Sequence, residues 1–275
     1  MTPAIPLELT GLTKVFPTSA GPVTAVKDVN ARIREGEFVA ILGHSGCGKS
    51  TVLSILAGLQ QATLGGVIID GTEVTAPGPE RGIVFQSPCL LPWLTVRQNV
   101  ALAATGRARD VKGQPVEHYL DVVGVSDAAR QHPLELSLGT QQCVSLARAL
   151  ASEPRFLLLD EPFSMLDSLT RFDLQDTLLG VWESSGKTVV MVTHDVDEAL
   201  YLADRLILMT DGPAATVGDV VEVPFPRPRR RAEVLAHAEY HASRRAVIDF
   251  LEYHAHQSRP SPLDAVLARQ RPTDP

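Results

Sequence analysis

Nowhere does the 275-residue chain hold an apolar run long enough to cross a bilayer as a helix; its richest apolar stretches, 156–159 and 189–192, are strand-sized. The opening MTPAIPLELT lacks a positive segment followed by an apolar one, so no secretory signal is expected. Cysteine is scarce: Cys47, Cys89 and Cys143 are too few and too scattered for a disulfide framework or a metal site, which predicts reduced thiols and a cytoplasmic setting. Basic charge is also short. Lys and Arg number 25 against 32 Asp and Glu, and the net charge of -7 argues against a general nucleic-acid binder.

What is present is an ordinary globular composition, 44% hydrophobic and 21% charged, with enough chain for one large domain and a modest extension. Between Leu7 and Phe38, apolar and polar residues alternate between Gly and Pro breaks, which predicts short antiparallel strands, with a hairpin at FPTSAGPVTAV. Residues 37–42 read as a buried strand, followed by the Gly-rich GHSGCGKST and a helical pattern at Val52, Leu53, Leu56 and Leu59. Further strand-like runs at 67–70, 82–85, 156–160, 188–193 and 205–209 alternate with helical patterns, so the expected core is α/β with a mostly parallel sheet. From about 94 to 151 strand signals vanish and helical spacing takes over, interrupted by Gly106, Gly113, Pro115 and Pro133; this predicts an inserted helical subdomain. After Gly218 come the Pro- and Arg-rich VPFPRPRRR, a helical pattern at 232–253 and a Pro-rich tail. The chain thus divides into 1–220 and an extension, 221–275.

The sharpest chemical signal is Gly43-His44-Ser45-Gly46-Cys47-Gly48-Lys49-Ser50-Thr51, a full match to G-x-x-x-x-G-K-[ST] placed between a strand and a helix. Its glycines let backbone N–H groups approach phosphate oxygens, and the helix N-terminus adds favourable dipole charge. Lys49 is expected to pair with the β- and γ-phosphates of ATP and the Ser50 hydroxyl to ligate Mg²⁺. A second signal is the apolar strand 156–160 ending in Asp160, for the metal, and Glu161, for the attacking water. Strands ending in acids are common, and only the upstream phosphate loop lends this pair its meaning.

Taken in order, the phosphate loop, Gln86 after a strand, Leu136-Ser137-Leu138-Gly139-Thr140-Gln141-Gln142, the carboxylate strand, Ser164-Met165-Leu166-Asp167 and His194 resemble the ATP-binding subunits of ABC transporters. That resemblance implies a P-loop ATPase with a RecA-like sheet, an antiparallel β subdomain and the helical insert. It implies Gln86 as a Mg²⁺ and water contact, His194 as the switch histidine on the γ-phosphate, and Glu161 as general base. It further implies Ser137, Gly139 and Gln141 as a signature acting on the ATP of an opposing subunit, Asp167 at the dimer seam, and Phe16 as an adenine-stacking ring, with an ordinary core phenylalanine as the alternative. Leu138 and Cys143 depart from the family's usual Gly and Arg, which puts the composite site completed in trans in doubt and leaves open a homodimer, a heterodimer or a regulatory binder.

Longer segments, including LGHSGCGKST, LLPWLTVRQNV, VTHDVDEALYLADR and the GPAA…PFPRPR stretch, are similar to ATPases of nitrate/nitrite importers, a group close to those for cyanate, bicarbonate, sulfonate and taurine. The partners so implied are a second ATPase subunit, a transmembrane permease and, indirectly, a solute-binding protein, with no nucleic acid. The implied location is the cytoplasmic side of the membrane. The cluster Arg227, Arg229, Arg230 and Arg231 reads either as a lipid-headgroup contact or, more simply, as a solvated turn without an essential role.

Overall fold

Strands buried on both faces need two cores, and the central strands here supply them by alternation. In the computed structural model, which describes residues 6–104 and 115–258, β3 (Phe38–Leu42) sends Phe38, Ala40 and Leu42 into one core and Val39 and Ile41 into the other. The same alternation holds along β7 (Phe156–Asp160) and β8 (Thr188–Thr193). With β6 (Arg81–Val84), β9 (Arg205–Met209) and β10 (Val217–Glu222) these strands form a six-stranded sheet ordered β10-β9-β3-β8-β7-β6. All its pairings are parallel except β9 with β10 at the edge. Because β10 runs across residue 220, the division at that residue falls inside a strand.

A second, antiparallel sheet is ordered β2-β1-β4-β5, from β1 (Leu7–Thr18), β2 (Gly21–Ile33), β4 (Leu64–Ile69) and β5 (Thr72–Glu73). The expected short strands before Phe38 are instead two long ones. Register shifts between Leu9 and Val15, with Gly11 at φ 56, break the apolar alternation that would have marked one continuous strand. Helix α1 (Lys49–Leu56) packs between the two sheets through Val52, Leu53, Ile55 and Leu56. Between β6 and β7 the described residues hold no strand but α2 (Val96–Ala104), α3 (Val116–Val122) and α4 (Leu138–Ala151), the predicted helical insert. Gly106 and Gly113 of that insert lie outside the described residues, as does the Pro-rich tail from 259.

Three more elements complete the frame: α5 (Ser168–Ser185), α6 (Val196–Leu202) and a C-terminal pair, α7 (Arg231–Leu235) and α8 (Tyr240–Ser258). The arginine cluster is neither a lipid contact nor a solvated turn, Arg230 apart. Arg227 stacks 4.3 Å over Trp182 and pairs with Asp204 at 2.8 Å; Arg231 lies 4.0 Å over Tyr201 and pairs with Asp176 at 2.7 Å. Arg229 is buried, and these side chains clamp the extension onto α5, α6 and the start of β9. Pattern alone could not separate them from solvated arginines, because their carboxylate partners, Asp204 and Asp176, lie 23 or more residues away.

Candidate active site

Parallel strands deliver their last residues to one edge of a sheet, and here that edge collects the chemistry. The phosphate loop leaves β3 and turns into α1 at Gly48, whose φ of 93 suits glycine and where a Cβ would overlap Val26. Gly43 is equally constrained, since a Cβ there would meet the buried Cys47 Sγ at 2.6 Å. Lys49 is buried, its ammonium donating to the carbonyls of Gly43 at 2.7 Å and His44 at 2.9 Å. Ser50 Oγ donates to Asp160 Oδ1 at 2.9 Å. Burial pushes the Asp160 carboxyl up, Ser50 pulls it down, and the neighbouring Glu161 charge raises it further. Such a site favours a compensating cation.

Glu161 follows at a positive φ of 44, its N–H held by the Val192 carbonyl at 2.9 Å. One carboxylate oxygen accepts from Gln86 Nε2 at 3.3 Å, and the other lies 3.3 Å from His194 Nδ1. Gln86 also donates to Ser164 Oγ at 3.2 Å. Thus Ser50, Gln86, Asp160, Glu161 and His194, predicted from motifs far apart in sequence, meet at the ends of β3, β6, β7 and β8. A cavity of about 360 Å³ opens there, lined by Ala25, Ser45, Gly46, Gly48, Lys49, Ser50, Thr51, Gln86 and Glu161.

Other predicted residues lie elsewhere. Phe16, on β1 under the Lys14 ammonium at 5.1 Å, does not line this cavity; Ala25 of β2 does. Ser137 caps α4, accepting from Thr140 N at 3.1 Å, and Gln141 donates to Leu136 O at 3.1 Å. Gly139 sits against α5, where a Cβ would overlap Thr170. Asp167 caps α5 by accepting from Leu169 N and Thr170 N, both at 3.1 Å. None of these four lines the cavity. Leu138 is the first residue of α4 and 47% exposed, so it leaves the capped turn intact.

The motifs did not reveal three supporting contacts. Asp211 lies 2.9 Å from His44 Nδ1, though not aligned as a hydrogen bond, and braces the phosphate loop. Buried Gln142 donates to Phe85 O at 3.0 Å, tying α4 to the residue before Gln86. Beneath His194, Arg171 reaches Asp195 at 3.4 Å and the Leu166 carbonyl at 3.3 Å, while Thr193 Oγ1 donates to Glu198 Oε2 at 2.9 Å. The paired glutamines and the THD…E spacing were the only local hints.

Glu198 carries a pH prediction. Burial first, and the Asp195 charge second, push its carboxyl up from 4.5 to about 7. The folded state therefore holds this proton more tightly than the unfolded chain, and its stability advantage is fully present below pH 4.5 and lost as pH rises to about 7. Glu198→Gln removes that loss. Thermal melts should show the variant roughly 3–8 °C above the parent at pH 8, the gap closing towards pH 4.5. A gap that is constant with pH would refute the assignment.

A sequence profile described as ABC transporter matches residues 26–164. The chain belongs to this family, and is an ATP-binding, ATP-hydrolysing cassette. Among its relatives, it is 48% identical over 242 residues to the nitrate import ATP-binding protein NrtD of Synechococcus elongatus, covering 86% of this chain and 88% of that one. It is 45% identical to the nitrate transport protein NasD of Klebsiella oxytoca (89% and 95% covered), and 44% identical to the bicarbonate transport ATP-binding protein CmpD of Synechococcus elongatus (87% and 88%). A dimeric bacterial ABC transporter cassette of known structure superposes with a TM-score of 0.72 at 34% identity, over 80% of this chain and all of that one. Among the described residues no helix is long and apolar enough to cross a membrane.

Proposed function

We propose that this chain is the subunit that couples ATP hydrolysis to import of a small anion, nitrate or nitrite, from the cytoplasmic side of a membrane. It would act as one of two ATPase subunits docked on a permease that receives its solute from a binding protein. The convergence of Ser50, Gln86, Asp160, Glu161 and His194 on one strand edge carries the ATPase part of this reading. Kinship at 45–48% with NrtD and NasD supports the solute. Relatives named for bicarbonate at 44–47% keep a second anion in play. Uptake of isotopically labelled nitrate by vesicles containing the assembled transporter, with and without ATP inside, tests the solute; uptake of bicarbonate but not nitrate would favour the second anion.

In the mechanism, backbone N–H groups of residues 43–51 cradle the phosphates, and Lys49 exchanges its loop carbonyls for phosphate oxygens. Ser50, Asp160 and Gln86 offer the hard oxygen donors that suit Mg²⁺. When bound, the metal neutralises charge that builds on the β- and γ-phosphates. Glu161 takes the proton of the attacking water while Gln86 and His194 hold its carboxylate in place. Ser137, Gly139 and Gln141, lying outside their own chain's cavity, act on the ATP of the partner, with Asp167 at the seam.

Leu138 then affects only the partner's half of a composite site. In a homodimer, Leu138→Gly should raise turnover per subunit several-fold at protein concentrations where dimers form, because it removes a side chain from the surface that meets the phosphate. An ATPase titration with protein concentration checks this. Unchanged turnover at every concentration would point instead to a different ATPase partner.

A further inference from the structure

At the end of β7 the chain turns sharply over residues 161–164. Glu161 takes its positive φ of 44, Phe163 is 1% exposed, and Ser164 N donates to Glu161 O at 3.2 Å. The buried Phe163 ring packs into the core and anchors the turn, which brings Ser164 Oγ back beside the Glu161 carboxylate, and Gln86 meets both. Ser164 does not line the nucleotide cavity, whereas Gln86 does. Whatever this hydroxyl does for the site, it does through the Gln86 side chain.

The hydroxyl's own proton is used within the turn. Ser164 Oγ donates to Glu161 O at 3.0 Å, so it offers Gln86 only lone pairs. The Glu161 carboxylate is an acceptor as well. Gln86 Nε2 lies 3.2 Å from Ser164 Oγ and 3.3 Å from Glu161 Oε2, which gives each of its two hydrogens one oxygen. Half a rotation of the carboxamide would set Oε1 against those same oxygens, acceptor against acceptor. The nitrogen is therefore held towards the turn. Gln86 Oε1, which has no hydrogen-bond partner among the described residues, is left for a ligand in the cavity that Gln86 lines. The orientation decides what a cation meets, because a carboxamide oxygen is a hard donor that suits Mg²⁺ and the NH₂ group offers it no lone pair.

We infer that Ser164 is a positioning residue for Gln86: together with Glu161 it fixes the carboxamide so that the oxygen, and not the nitrogen, is presented to the metal. The inference rests on the reading of Ser50, Asp160 and Gln86 as the Mg²⁺ donors. It also joins Gln86 to the segment 164–167 that leads into Asp167 and α5.

The test measures the affinity of the full-length chain for a non-hydrolysable ATP analogue by calorimetry, once with Mg²⁺ and once with EDTA. The parent, Ser164→Ala and Ser164→Thr are compared. In the parent, Mg²⁺ should tighten binding. In Ser164→Ala that tightening should shrink roughly threefold to tenfold, the worth of one net hydrogen bond, while the metal-free affinity stays within about twofold of the parent and so reports an intact fold and phosphate loop. Ser164→Thr keeps the hydroxyl and should recover most of the Mg²⁺ effect. The inference is overturned by an alanine variant with the parent's Mg²⁺ effect, by one that loses metal-free affinity to the same extent, or by a threonine variant no better than alanine. A parent whose affinity ignores Mg²⁺ would overturn the donor set as well, so the two failures are told apart.

Discussion

A Glu161→Gln protein is expected to bind ATP within a few-fold of the parent affinity and to hydrolyse it roughly a hundredfold to ten-thousandfold more slowly, the span that a positioned general base contributes. The reasoning is local. Glu161 has no bond to the phosphate loop, whereas Lys49 and the backbone of residues 43–51 supply the proposed phosphate contacts. Glutamine fits the same space and tolerates the same φ of 44, so the strand end and its bond to Val192 survive. What it cannot do is accept the proton from water. Phosphate release in single turnover, set beside nucleotide binding by fluorescence, separates the two effects. A variant that lost binding and hydrolysis together would show that Glu161 supports the loop rather than the chemistry.

Arg229→Leu should be the most damaging substitution outside the site. The side chain is 1% exposed, and its Nη1 donates to the carbonyls of Leu200 at 3.3 Å, Tyr201 at 3.0 Å and Ala203 at 2.7 Å, while Nε donates to Phe225 O at 3.2 Å. Burial first, and Arg227 second, lower the guanidinium to about 10, so it stays charged at neutral pH. Leucine would take the donor from three carbonyls at the end of α6 and from that of Phe225 in the extension, an expected loss of about 3–5 kcal/mol and a melting temperature lower by roughly 8–15 °C. Lysine keeps the charge but not the fork, and should recover only part of this. Arg230→Ala is the internal contrast, because that side chain is 81% exposed and its loss should change stability by no more than about 0.5 kcal/mol. Comparable melts for the two variants would remove the clamp from the account of the fold.

Legibility in the sequence followed how far a residue's meaning depends on distant neighbours. Strands β7, β8 and β9 could be read to the residue because burial on both faces makes them unbroken apolar runs between turns. The phosphate loop was equally plain, since glycine is demanded by its own backbone. The β1–β2 hairpin was blurred because its bulges disrupt the two-residue period. One C-terminal helix was expected, but α7 and α8 are separated at residues 236–239, a stretch without Gly or Pro. There His237 turns its ring edge to Phe225 at 5.2 Å and accepts from the Glu239 N–H, a break set by tertiary contact. Asp211, Arg171 and Gln142 were missed for the same reason. Their roles exist only once β9, α5 and α4 have been brought beside the motif residues.

The overlap that forbids a side chain at Gly139 has a mechanical reading. Helix α4 begins at the capped Ser137 and α5 at the capped Asp167, and Gly139 and Thr170 mesh where the two helices cross, like a tooth in a notch. The two tips, more than two dozen residues apart in the chain, rest against each other at this notch, so a side chain added at Gly139 is expected to push both of them out of place together.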